Sequence, residues 1–128
     1  MLIVMVLAAG CGGAGECPLA GWTWNGAGSE LGNYESELLE YTFKTDGTGS
    51  WRSSSSGYDA LSRFNFTYDQ KSATLTFLDE TACMASGYTE PGVWHLAFNG
   101  CKAFIFQVMR DPCLTRRNNI IGSYMVRP

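Results

Sequence analysis

Leu39-Glu40-Tyr41-Thr42-Phe43-Lys44-Thr45-Asp46-Gly47-Thr48-Gly49 alternates apolar and polar residues and then breaks on an Asp-Gly pair. A period of two puts Leu39, Tyr41 and Phe43 on one face of a strand and Glu40, Thr42 and Lys44 on the other. Asp46-Gly47 is a hairpin signal, because glycine takes positive φ without steric cost. The stretch predicts strand, tight turn and strand, with one face buried.

The same pattern extends in both directions. Strands are expected at residues 21–25, 37–45, 48–53, 62–68, 73–77, 93–98, 102–109 and 121–127, with Asn99-Gly100 as a second tight hairpin. Residues 102–109 are apolar on both faces, which predicts a strand lying against another element or an edge cover. No segment has a convincing helical period, and residues 118–121 form at most a short turn. In up-and-down order, the connections after strands two, four and six are short and share one end. The long connections, residues 26–36, 54–61, 78–92 and 110–120, share the other. The expected fold is all-β: an eight-stranded antiparallel up-and-down barrel, closed at one end and open at the other.

The N-terminus carries a different signal. Leu2-Ile3-Val4-Met5-Val6-Leu7 is too short to span a membrane and runs into Ala8-Ala9-Gly10-Cys11. These small residues before a cysteine resemble the lipobox of bacterial lipoproteins. The resemblance implies a signal peptide over residues 1–10 and a diacylglyceryl group on the Cys11 sulfur. It leaves residues 11–17 as a tether and residues 18–128 as a barrel domain. A basic segment ahead of the apolar run is missing, which leaves open whether translation starts upstream of Met1. The implied place is the bacterial cell envelope, anchored to a membrane by lipid. Gly12, where some bacterial families carry a retention aspartate, leans towards the outer membrane.

With Cys11 lipidated, Cys17, Cys83, Cys101 and Cys113 remain, an even set that predicts two disulfides in an exported chain. Strand parity places Cys17 and Cys101 at the closed end, and Cys83 and Cys113 in loops at the open end. Cys101 and Cys113 are separated by a whole strand, roughly 25 Å at about 3.3 Å per residue, too far to bridge. The pairs are therefore expected to be Cys17–Cys101 and Cys83–Cys113. No metal site is expected, since there is no CxxC pair and His95 is the only histidine. A net charge of −3 with few charged residues disfavours nucleic acid as a partner.

Leu19-Ala20-Gly21-Trp22, residues 41–49, Phe66-Thr67-Tyr68-Asp69, Ala73-Thr74-Leu75-Thr76-Phe77 and Gly122-Ser123-Tyr124 together resemble the lipocalin-like (calycin-type) bacterial lipoproteins. Lipocalins have Gly-x-Trp on the first strand, whereas here Trp22 follows Gly21 directly and Trp24 comes two later. Arg127 near the C-terminus is placed to cover a tryptophan at the closed end.

The fold likeness does not by itself give a ligand, but one closed and one open end are what a small ligand-holding barrel would show. The expected protein is non-enzymatic, needs no cofactor and binds a small hydrophobic or amphipathic ligand in the barrel mouth. Tyr34, Tyr41, Phe43, Trp51, Phe64, Phe66, Phe77 and Trp94 would line that site. The competing expectation is that these aromatics fill the barrel. It would then act through its surface, as a protein-interaction or inhibitor module using the disulfide-linked loops 82–90 and 110–119. No catalytic residues are expected: His95 faces outward with no nucleophile or paired acid beside it. Arg110, Asp111, Arg116 and Arg117 read as a solvated loop, and residues 53–57 as a loop tip.

Overall fold

The protein is described by a computed structural model covering residues 16–29, 38–55 and 58–128. Eight antiparallel strands close into a barrel in sequence order: β1 (Trp22–Ser29), β2 (Leu38–Phe43), β3 (Thr48–Ser55), β4 (Tyr58–Asp69), β5 (Thr74–Leu78), β6 (Gly92–Phe98), β7 (Ala103–Arg110) and β8 (Ser123–Val126). Closure comes from β1 pairing with β8, with Asn25 opposite Val126 and an irregularity between Gly26 and Ser29. A closed barrel leaves no unpaired edge. The architecture is compatible with a lipocalin-like fold. Cys11 and the leader lie outside the described residues.

Local chemistry sets the two tight turns. Gly47 has φ +88°, and the Asp46 carboxylate accepts from the Thr48 amide and hydroxyl. Gly100 has φ +66°, and the Asn99 amide donates to the Ala103 carbonyl. Both disulfides form as expected: Cys17–Cys101 with Cα atoms 5.1 Å apart, and Cys83–Cys113 at 5.8 Å.

The end holding Cys17 is sealed by the entering chain. Leu19 is buried, and its carbonyl accepts from Trp24 Nε1 at 3.3 Å. The Tyr68 hydroxyl donates to the Cys17 carbonyl at 2.9 Å. Arg127 stacks 3.8 Å above the Trp22 ring and donates through Nε to the Cys101 carbonyl. Two tryptophans thus meet at this end: Trp24 buried, and Trp22 partly exposed beneath the guanidinium.

Three expectations are corrected. Residues 54–61 are not a long loop: β3 and β4 stay paired out to Ser55 opposite Tyr58. The loop tip expected at residues 53–57 therefore narrows to positions 56–57, which lie outside the described residues. Two short helices occupy the remaining described loops, α1 (Thr81–Ala85) and α2 (Leu114–Ile120). Among the described residues no other element covers the outer face of β7, where Ile105 is half-buried and Met109 is exposed.

Candidate functional site

Seven of the eight aromatics expected to line a ligand site are described, and all seven are buried inside the barrel. Tyr34 lies outside the described residues. Tyr41 of β2 stands at the centre, its ring centroid 5.4 Å from Phe106, 6.0 Å from each of Phe43, Phe64 and Phe77, and 6.4 Å from Trp51. Phe66 packs edge-on to Phe43 at 5.1 Å, and Trp94 edge-on to Phe106 at 5.8 Å. Trp24, Phe104 and Phe106 belong to the same assembly, though the sequence did not place them among the lining residues. Such edge-to-face arrangements are what packed aromatic interiors favour.

Above the rings lies a polar cluster. Arg116 of α2 donates from Nε to Asp111 Oδ2 at 2.6 Å, from one terminal nitrogen to Asp111 Oδ1 at 2.8 Å, and from the other to Glu80 Oε1 at 3.1 Å. Two indoles complete it: Trp94 Nε1 donates to Asp111 Oδ2 at 2.8 Å, and Trp51 Nε1 to Glu80 Oε2 at 2.6 Å. The Ser62 hydroxyl also donates to Glu80, and the Cys113 amide to Asp111. All three charged side chains are at most 2% exposed.

The expectation that Arg110, Asp111, Arg116 and Arg117 form a solvated loop is therefore overturned for Asp111 and Arg116. Arg110 does lie in solvent, in an exposed pair with Glu90 at 3.1 Å. Burial works against the Arg116 charge, but the Asp111 hydrogen bonds and charge, with those of Glu80, hold its guanidinium above its usual pKa. The guanidinium also lies 5.0 Å over the Phe77 ring.

The helices deliver these groups. Glu80 is the N-cap residue of α1, yet its carboxylate points into the barrel instead of capping the helix. The Cys83–Cys113 disulfide ties α1 to α2 between the residues that bring in Glu80 and Arg116. Gly92 makes room for the cluster, because a Cβ there would overlap the Asp111 carboxylate and the Arg116 guanidinium. This end is clasped where the sequence led us to expect an open mouth.

One polar atom stands apart: the Tyr41 hydroxyl is buried and has no hydrogen-bond partner among the described residues. Burial first, then the nearby Glu80 charge, pushes its pKa well above the ordinary phenol value, with Arg116 opposing. The carboxylates of Glu80 and Asp111 each accept from several donors and are shielded from solvent. His95 sits on the outer face of β6 between Thr74 and Gln107. Among the described residues, no group of three or more His, Cys, Asp or Glu could hold a metal ion.

The clasp had one readable signal. Trp51 and Trp94 both occupy inward positions, and a buried indole N–H needs an acceptor that no neighbouring ring supplies. No protein-family model, curated protein or solved structure matches the chain.

Proposed function

We propose that this protein is a lipid-anchored module of the bacterial cell envelope. In this reading it is non-enzymatic and recognises a protein partner through its outer surface rather than through its interior. One observation carries the proposal: the interior positions are occupied by rings in mutual contact, beneath a mouth clasped by Glu80, Asp111 and Arg116. A lipid on Cys11 would enter beside Cys17, at the end opposite α1 and α2. The helices would then face away from the membrane, carrying exposed Met84 and Leu114 next to the Cys83–Cys113 disulfide. Exposed apolar side chains on a rigid, cross-linked base suit protein contact.

Photo-crosslinkers placed at Met84, Leu114 and, as a control at the opposite end, Lys71 test this reading in intact envelopes. A defined adduct from the first two positions and none from Lys71 supports it. Equal or absent labelling at all three overturns it.

A second reading, a carrier of a small amphipathic ligand, is favoured by the Tyr41 hydroxyl, which has no partner among the described residues and which such a ligand's polar end would satisfy. Native mass spectrometry of the secreted domain separates the two. A bound small-molecule mass favours the carrier, and an empty protein with both disulfides formed favours the surface module.

A further inference from the structure

We propose that the outer face of β3 and β4 carries a separate binding site for a sugar-like ligand bearing a carboxylate or phosphate group. A recess of about 500 Å³ lies there, within the ~300–1,000 Å³ range of small-molecule sites. Its shape follows from the sequence. At the Thr48 end of β3 the outward residues are short, Thr48 and Ser50, while longer side chains flank them. Arg63 stands opposite Ser50, Asn65 stands opposite Thr48, and Lys44 closes the near side. The floor stays tight at Gly49, where a Cβ would come within 2.6 Å of the Phe64 ring.

The chemistry of the walls defines the ligand. Lys44 and Arg63 are exposed, and neither is ion-paired among the described residues, whereas Arg52, Arg110 and Arg116 all are. Lys44, whose charge also acts on Asp46, and Arg63 put two cations at one recess in a chain of net charge −3, which favours an anionic group. The far wall is held in place: Asn65 Nδ2 donates to Asp79 at 3.3 Å, and the Arg63 amide donates to Thr81 Oγ1 at 3.2 Å. Asp79 repels a bare anion but accepts from hydroxyl groups. Leu61, 63% exposed on the rim, offers an apolar surface to the C–H face of a sugar ring. Anion, hydroxyls and an apolar face coincide in uronic acids and sugar phosphates.

The test is a titration of the intact disulfide-bonded domain with glucuronate, glucose 6-phosphate, glucose and inorganic phosphate, followed by amide NMR and calorimetry. Saturable binding of glucuronate or glucose 6-phosphate is expected, with shifts centred on β3 and β4, and the tighter of the two identifies the anion. Arg63→Ala and Lys44→Ala should each weaken it about tenfold, the scale of one lost charge-assisted hydrogen bond. Arg52→Ala, which removes a guanidinium already committed to Asp59, should leave it unchanged. The proposal fails if neither acidic sugar binds. It fails equally if phosphate or glucose alone binds as tightly, or if Arg63→Ala and Lys44→Ala have no effect. Both side chains are exposed, so the variants should fold, and circular dichroism checks this.

Discussion

A guanidinium taken out of water loses several kcal/mol of hydration, so Arg116 is tolerable inside the protein only as one member of a complete set. Its partners need it equally. Arg116→Met would leave Glu80 and Asp111 buried without a counter-charge and should cost about 3–5 kcal/mol in urea unfolding. Replacing all three charges together (Arg116→Met, Glu80→Gln, Asp111→Asn) should recover much of that loss. A triple variant as unstable as the single one would show that the hydrogen-bond geometry matters more than charge balance. Tyr41 presents the opposite case, a hydroxyl desolvated with no partner among the described residues. Tyr41→Phe should leave the melting temperature unchanged or raise it, by up to about 1 kcal/mol of stability. A clear loss would mean that the hydroxyl is bound, as the carrier reading requires. Neither role was legible in advance, because Asp111 and Arg116 read as a solvated loop and Tyr41 as one ring among many. Only the demand of two buried indoles for acceptors pointed towards them.

At the scale of elements, what could be read divides along local and non-local causes. The hairpins at Asp46-Gly47 and Asn99-Gly100 were legible because the turn residues themselves fix the register. The β3–β4 hairpin was not, since Ser53, Ser54 and Ser55 carry no apolar contrast. Their strand is imposed by pairing with Ala60, Asp59 and Tyr58. The helices were hidden for a related reason. At 5 and 7 residues they are too short to show a period or to stand alone, and tertiary burial of Cys83, Arg116 and Ile120 holds them. The Cys83–Cys113 disulfide is therefore both a chain constraint and the base of the clasp. Chain entropy alone assigns about 3.5 kcal/mol to its 30-residue separation and about 4.5 to the 84 residues spanned by Cys17–Cys101. Alanine pairs at each bridge should show that order in denaturant unfolding if entropy dominates. A larger loss at Cys83–Cys113, with altered tryptophan fluorescence in the native state, would show that the bridge also supports the contacts of Trp51 and Trp94.

For the whole molecule, strand number, order and parity were legible, because closing the barrel makes every turn constrain every other. Whether the interior is full was left open, since that depends on side chains from all the strands converging in space. Filling has a measurable consequence at high pH. Tyr68 is half-buried, and burial first, then the Asp69 charge, raises its phenol pKa to about 12. Tyr41, wholly enclosed, is also raised. A phenol in the unfolded chain ionises near pH 10. Below that value both states hold the proton and the contribution to stability is complete. Above it the unfolded chain releases protons that the folded barrel retains, so stability falls as pH rises from about 10, and for Tyr68 levels off near 12. Urea unfolding at successive pH values should show this decline, shallower in Tyr68→Phe and in Tyr41→Phe than in the parent. Phenolate absorbance should show these two tyrosines still protonated in the folded protein when a free phenol would have ionised. If Tyr41 instead ionises near pH 10 with the barrel intact, water reaches the centre of the ring assembly. The filled interior, and with it the surface-module reading, would then be wrong.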